Sequence, residues 1–405
     1  MAHKAFEGIR VIELAESVGV AYAGKLLADL GAEVIKVEKP GEGDPARHRE
    51  PFAGGTPDKE KSLLFAYANT NKKSVAVDTS VEEGAALVRK LVCTADVFLR
   101  EGLPETFDGN GLSWESLSKD NPKLILSSNT PFGESGPYRN YASTPFTLAH
   151  MTGNCALYPH GTGDEERAPV ILGGNFEEYD TGVAVASGVV GSLIWRLRSG
   201  KGQYIENSSY EARLMSLPSE NSAYPVFGVN FNRSGATQRL QASLSFPTKD
   251  GWLCPFLTTP KDFANMADII GKPEWKDEEW FTDVPQRQAN CEKIMEAMRE
   301  WSKDLTTAEA VDICQSRRVP IGPVATPKDV VESEQYNQRG FFTEIDHPAI
   351  GKAKFPGRPA VLSETPFSYD HAAPLLGADT EEILKEVAGV SDDQFNSLAQ
   401  SKVIG

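Results

Sequence analysis

GIRVIELAESVGVAYAGKLLADLGAEVIKVEKP, residues 8–40, decides the fold class. GIRVIELA (8–15) alternates apolar and polar residues as a strand does. AYAGKLLADLGA (21–32) repeats its apolar positions at helical spacing and stops at Gly31. AEVIKVEKP (32–40) is a second apolar strand. Strand, helix and strand in so few residues predict a right-handed parallel unit. The pattern continues outward: KKSVAVD (72–78) is a third strand, EEGAALVRKLV (82–92) a helix, ADVFL (95–99) a fourth strand and PKLILSSN (122–129) a fifth. This alternation predicts an α/β doubly wound domain. It lacks the nicotinamide-dinucleotide signature, because the first turn, AESVGVAYAG (15–24), carries no G-x-G-x-x-G.

The regular alternation ends after a sixth expected strand at Tyr204–Asn207. Residues 218–245 read as polar and irregular, TKDGWLCPFL (248–257) as a hairpin, and 261–270, 287–302 and 306–317 as helices. These form an expected smaller α+β domain at 225–322, left through the proline-spaced VPIGPV (319–324). The expected layout is a large domain at 1–205, linkers at 206–224 and 323–340, and a C-terminal segment at 341–405 with one helix at 380–387.

Composition narrows the function. The 405 residues are 40% hydrophobic and 24% charged, ordinary values for a soluble globular protein. A formal net charge of −16 opposes nonspecific binding to nucleic acid or anionic lipid. The five cysteines are scattered, without a CxxC pair or a histidine at metal spacing. Reduced thiols, no metal and a cytoplasmic location are therefore expected. The longest apolar run, Val183–Trp195, has 13 residues, too few to span a bilayer.

The chemistry concentrates in GGNFEEYDTG (173–182), followed by that apolar run and SGKGQ (199–203). Carboxylates crowd the start of a predicted helix that a glycine-lysine turn ends. Acids there also cap orphan N–H groups and favour the helix dipole, so position alone assigns no catalysis.

Seven stretches taken in order resemble the family III CoA-transferases (the CaiB/BaiF group, including formyl-CoA:oxalate and carnitine CoA-transferases). They are LLADLGAEVIKVEKPGEGDPAR (26–47), NTNKKSVAVD (69–78), ADVFL (95–99), NPKLILSSNTPFGESGPY (121–138), SGKGQ, VPIGPV and QRGFF (338–342). The resemblance implies a Rossmann-like large domain that binds CoA, a small domain, a C-terminal segment returning to the large one, and an interlocked dimer. It implies transfer of CoA from an acyl-CoA to a free carboxylic acid, with coenzyme A as substrate and product.

In that family an aspartate attacks the thioester. Counting back from SGKGQ puts the nucleophile on Glu178, with Asp180 as a second candidate. A carboxylate suits the task because it is ionised at neutral pH and forms a reactive anhydride. The resemblance further implies CoA contacts from Lys39, Arg47, Lys72 and Arg139, since phosphates call for guanidinium and ammonium groups.

The chain departs from the family at other cofactor positions. Gly19-Val20-Ala21 replaces Ala-Gly-Pro, Thr70 an arginine, Arg100-Glu101-Gly102 a Glu-Asn-Phe, Gly109 an arginine, and Ala378-Asp379 a Glu-His. No glycine-rich run like the family's lid stands in 233–246. A divergent subunit beside an active sister chain is therefore the alternative, as in the heteromeric benzylsuccinate CoA-transferases of aromatic acid degradation. An acyl-CoA racemase of the same fold would need a histidine where Thr144 stands; His150 lies six residues beyond.

Overall fold

The structure is a computed structural model that describes residues 3–157, 168–215, 218–230 and 245–405. The 233–246 segment falls almost wholly outside the described residues. The chain divides into two compact units, one of residues 1–152, 172–216 and 338–405, the other of 153–171 and 217–337.

The larger unit is built on six parallel strands: β1 (Arg10–Leu14), β2 (Glu33–Glu38), β3 (Lys72–Ala76), β4 (Val97–Glu101), β5 (Ile125–Thr130) and β6 (Gln203–Ser208). Their order is β3-β2-β1-β4-β5-β6, the doubly wound arrangement expected from residues 8–129. Strand alternation sends side chains into two cores. Ile12, Ile35, Val75, Phe98 and Leu126 pack with Leu87, Val88 and Leu91 on one face. Val11, Val34, Val97 and Ile125 pack with Leu27, Val185, Val189 and Leu193 on the other. Ile383, Leu384 and Ile404, from the end of the chain, complete the first core.

Two helices matter most for the site. The Val18–Asp29 helix is capped by Ser17, whose hydroxyl accepts from the Val20 N–H at 3.3 Å. The Phe176–Ser199 helix carries Glu177 and Glu178 in its first turn and ends at Gly200, which takes the left-handed conformation (φ 73°) that favours glycine. The two helices touch through glycines. A Cβ on Gly19 would stand 2.8 Å from the Glu178 carbonyl oxygen, and one on Gly182 would stand 2.5 Å from the Gly19 carbonyl oxygen. No helix among the described residues is long and apolar enough to cross a membrane.

Beneath this crossing runs a buried charge network. Glu13 on β1 accepts from Lys36 and Lys72, both at 2.8 Å, and Lys36 also pairs with Asp44 at 2.6 Å. Burial opposes the Lys36 charge, but Asp44, Glu13 and Glu38 outweigh it and hold the ammonium ionised far into the alkaline range. Lys72 shares Glu13 with Lys36, and burial carries its pKa down to about 8.

The smaller unit has strands β7 (Phe246–Pro247), β8 (Trp252–Pro255) and β9 (Ile321–Pro323), paired antiparallel in that order. The hairpin is the one read from 248–257, and helices Pro260–Ile269, Cys291–Ser302 and Thr307–Ser316 stand where helices are expected. Two details differ. VPIGPV is not a bare linker, because its centre is β9; that strand lies at the sheet edge, where a proline's missing N–H removes no ladder bond. Residues 218–227, read as irregular, are helical.

The C-terminal segment forms a β10 (Phe342–His347)/β11 (Gly351–Pro356) hairpin and the expected Thr380–Glu386 helix. A second helix, Asp392–Gln400, escapes the sequence reading; the partly buried Phe395 and Leu398 pack it against the core.

Candidate active site

A doubly wound sheet opens a crevice at the carboxyl ends of its strands, where the strand order reverses. Here that point lies between β1 and β4, and two cavities of the larger unit adjoin it. The smaller, of about 170 Å³, is lined by Ser17, Gly19, Glu101, Thr144, Glu178 and Arg213 among others. The larger, of about 520 Å³, is lined by Glu16, Lys39, Asp44, Asp78, Glu101 and Phe107 among others. Glu101, at the end of β4, belongs to both walls.

Glu178, in the first turn of the Phe176–Ser199 helix, lines the smaller cavity, with 8% of its side chain exposed. Arg49 grips it with both terminal nitrogens, Nη1 to Oε1 and Nη2 to Oε2, each at 3.1 Å. The Asn175 amide donates to Oε2 at 2.7 Å. The next residue, Tyr179, anchors the turn, with its ring 4.7 Å from that of Tyr22 and 6.1 Å from that of Tyr67. Burial, reinforced by the Glu178 charge, pushes the Tyr179 phenol up to about 12, so it remains a neutral wedge.

The neighbouring acids face elsewhere. Glu177 lies 3.6 Å from Arg213, and burial raises its pKa against that attraction. Arg213 donates to the carbonyls of Glu177 and Pro145 at 3.2 and 2.9 Å. Asp180 is half-buried and does not line the smaller cavity.

Glu101 fills a place that a ligand phosphate takes in other proteins of this architecture. Its Oε2 accepts the backbone N–H groups of Glu16 and Ser17, at 3.0 and 2.7 Å, at the entry to the Val18–Asp29 helix. Such amides otherwise receive an anion. Burial raises the Glu101 pKa despite these hydrogen bonds. An internal carboxylate at this spot also removes the phosphate cradle that a dinucleotide enzyme needs.

The four expected CoA contacts separate into two pairs. Lys39 stands at the rim of the larger cavity with 56% of its side chain exposed, and Glu42 at 2.9 Å keeps its ammonium charged. Arg139 is about a third exposed, donating to the Glu134 carbonyl at 2.8 Å and to Glu105 at 2.9 Å. Arg47 is wholly buried: it forms a bidentate pair with Glu38, donates to Glu60 and to the Pro374 carbonyl, and stacks over Phe65 at 3.7 Å. Lys72 is equally enclosed, with its three donors on Glu13, Asn69 and the Ala21 carbonyl. These two cations act as internal struts, and only Lys39 lines the cavity.

At the other departures from the family pattern, Arg100 is buried against Phe107, its donors on the Leu112 carbonyl and the Tyr204 hydroxyl. Thr144 caps the Pro145–Met151 helix in a reciprocal box with Thr147. His150 is on that helix, its Nδ1 2.9 Å from the Phe146 carbonyl oxygen.

Sequence reasoning did not find Arg49, Asn175 or the place of Glu101 on the walls of both cavities. Asn175 precedes the helix and had a local signal, three residues before an acid. Arg49 had none: it meets a carboxylate 129 positions away, and nothing in HRE (48–50) distinguishes it from a surface cation.

The family model described as CoA-transferase family III matches residues 6–380. The beta subunit of the succinyl-CoA–L-malate CoA-transferase of Chloroflexus aurantiacus is 33% identical, over 98% of this chain and 97% of its own. The succinate–glutarate CoA-transferase of Agrobacterium fabrum is 33% identical over 94% and 95%. Among solved structures, a CAIB/BAIF family protein from Brucella suis has a TM-score of 0.82 at 29% identity, covering 95% of this chain and 99% of that one.

Proposed function

The chain belongs to CoA-transferase family III and is a transferase enzyme, and on that premise we propose that Glu178 is the nucleophile that carries the acyl group and then CoA. The observation that supports this is a cavity-lining glutamate whose carboxylate is fixed at a helix start by Arg49 and Asn175. Glu178 attacks the donor thioester carbonyl and expels CoA thiolate, leaving a mixed anhydride. The thiolate attacks the glutamyl carbonyl, releasing the donor acid and forming a glutamyl-CoA thioester. The acceptor carboxylate displaces CoA thiolate, and the thiolate takes the acceptor acyl group from the second anhydride. Glu178 is regenerated, and no proton is gained or lost.

The nucleotide end of CoA goes to the larger cavity, with Lys39 on its phosphates and Arg139 as a further contact. Arg47 and Lys72 act at a distance, by holding β2 and β3 around the Glu38 and Glu13 carboxylates. The working enzyme is an assembly with a second copy or a sister chain. Supporting this, Val183, Trp195 and Leu197 of the Phe176–Ser199 helix are 50%, 52% and 85% exposed.

A second reading, in which this chain is the divergent subunit of an unequal pair, draws on the larger cavity. Glu16, Asp44, Asp78 and Glu101 line that cavity together with Lys39, a poor setting for phosphates. Mass spectrometry of the purified enzyme after incubation with acyl-CoA separates the readings. A CoA adduct on the peptide containing Glu178, absent in Glu178→Gln of unchanged fold, is expected. An adduct found only on a co-purified chain would sink the first reading and favour the second.

A further inference from the structure

We propose that Arg49 is the receptor for the acceptor acid's carboxylate, switched on by acylation of Glu178. This rests on Glu178 being the nucleophile. Arg49 is 42% exposed, whereas the carboxylate it holds is 8% exposed, so the guanidinium covers Glu178 from the solvent side. It spends two of its five donors on that one partner.

The two carboxylate oxygens are unequally bound. Oε2 accepts from both Arg49 and Asn175, whereas Oε1, among the described residues, accepts from Arg49 alone. Oε1 therefore keeps a lone pair for the donor carbonyl and is the attacking atom.

Acylation changes the charge balance. A glutamyl anhydride or thioester is neutral, so the carboxylate that paired with Arg49 no longer exists. The planar fork, already placed on the Glu178 carboxylate, is left without that counter-ion. A free carboxylate fits that fork, and the one the reaction requires is the acceptor's. Arg49 thus binds the acceptor weakly while Glu178 is ionised and strongly once the glutamyl-CoA thioester has formed. The acceptor carboxylate then attacks the thioester carbonyl, CoA thiolate leaves, and the thiolate captures the acceptor acyl group. The Glu178 carboxylate returns and displaces the product from Arg49. One guanidinium thereby orders the two half-reactions through charge alone.

The test compares wild type, Arg49→Gln and Arg49→Lys, following adduct formation from donor acyl-CoA separately from turnover with the acceptor acid. The acceptor KM should rise at least tenfold in Arg49→Gln. The CoA adduct on Glu178 should form and stand at a higher steady-state fraction than in wild type, because its consumption is slowed. Arg49→Lys, which keeps the charge without the fork, should recover part of the acceptor affinity, and it carries the test if the glutamine variant does not fold. A parallel fall of both half-reactions with an unchanged acceptor KM would overturn the proposal and leave Arg49 a mere support for Glu178. A wild-type enzyme with no adduct on Glu178 would overturn the underlying reading instead.

Discussion

Adding one methyl group at Gly182 tests whether the crossing of two helices fixes the reactive carboxylate. The alanine Cβ would stand 2.5 Å from the Gly19 carbonyl oxygen and 3.0 Å from the Tyr22 ring. The first contact is with backbone, so no side chain can swing aside. The helices must separate by about 0.5–1 Å, and overpacking of this kind costs about 1–3 kcal/mol. Glu178 lies one turn before Gly182 on the same helix, and its own carbonyl meets Gly19. The displacement therefore reaches the carboxylate, where a shift near 1 Å costs about 100-fold in rate.

Gly191→Ala is the control. It sits on the same helix with nothing within 4 Å of its would-be Cβ, and should stabilise by about 1 kcal/mol through helix propensity. Urea denaturation read by circular dichroism measures the first effect, and single-turnover adduct formation measures the second. If Gly182→Ala matched wild type within a factor of two in both assays, the helix crossing would not be what places Glu178.

Arg47→Met should destabilise by about 3–5 kcal/mol, because it leaves Glu38 buried without its bidentate partner; urea midpoints check this. Protein that survives at low temperature should keep its acyl-CoA KM. Lys39→Ala should raise the acyl-CoA KM severalfold with little change in kcat, and the gap should narrow as salt is added to the assay. For Glu101, burial places the folded-state pKa above the usual carboxylate range. Its contribution to stability is therefore complete below about pH 4 and is lost as pH rises through the raised value, where the folded state must carry a buried charge. Glu101→Gln, whose carboxamide oxygen still accepts from Glu16 and Ser17, should thus gain on wild type between acid and neutral pH. Parallel stability curves for the two proteins would refute it.

The sequence by itself determined the sheet, because residues 8–129 alternate strand and helix at spacings that only a parallel, doubly wound packing buries. It also located Glu178 at a helix start, since a run of acids followed by small and apolar residues up to Gly200 is a local pattern. Local pattern failed where the decisive partner was distant. Arg47 and Arg49 stand two residues apart, in and just after the short 3-10 helix Pro45–His48, and nothing local in the sequence says which way either points. Tertiary structure turns the first inward onto Glu38 and the second onto Glu178. Lys72 reads as a phosphate ligand until the sheet sets it against Glu13. Glu101 reads only as a departure from the family's asparagine until its carboxylate is seen on the amides of Glu16 and Ser17. A charge has the same appearance in sequence whether it faces water, a ligand or another buried charge, and only the packed chain supplies the partner that decides among them.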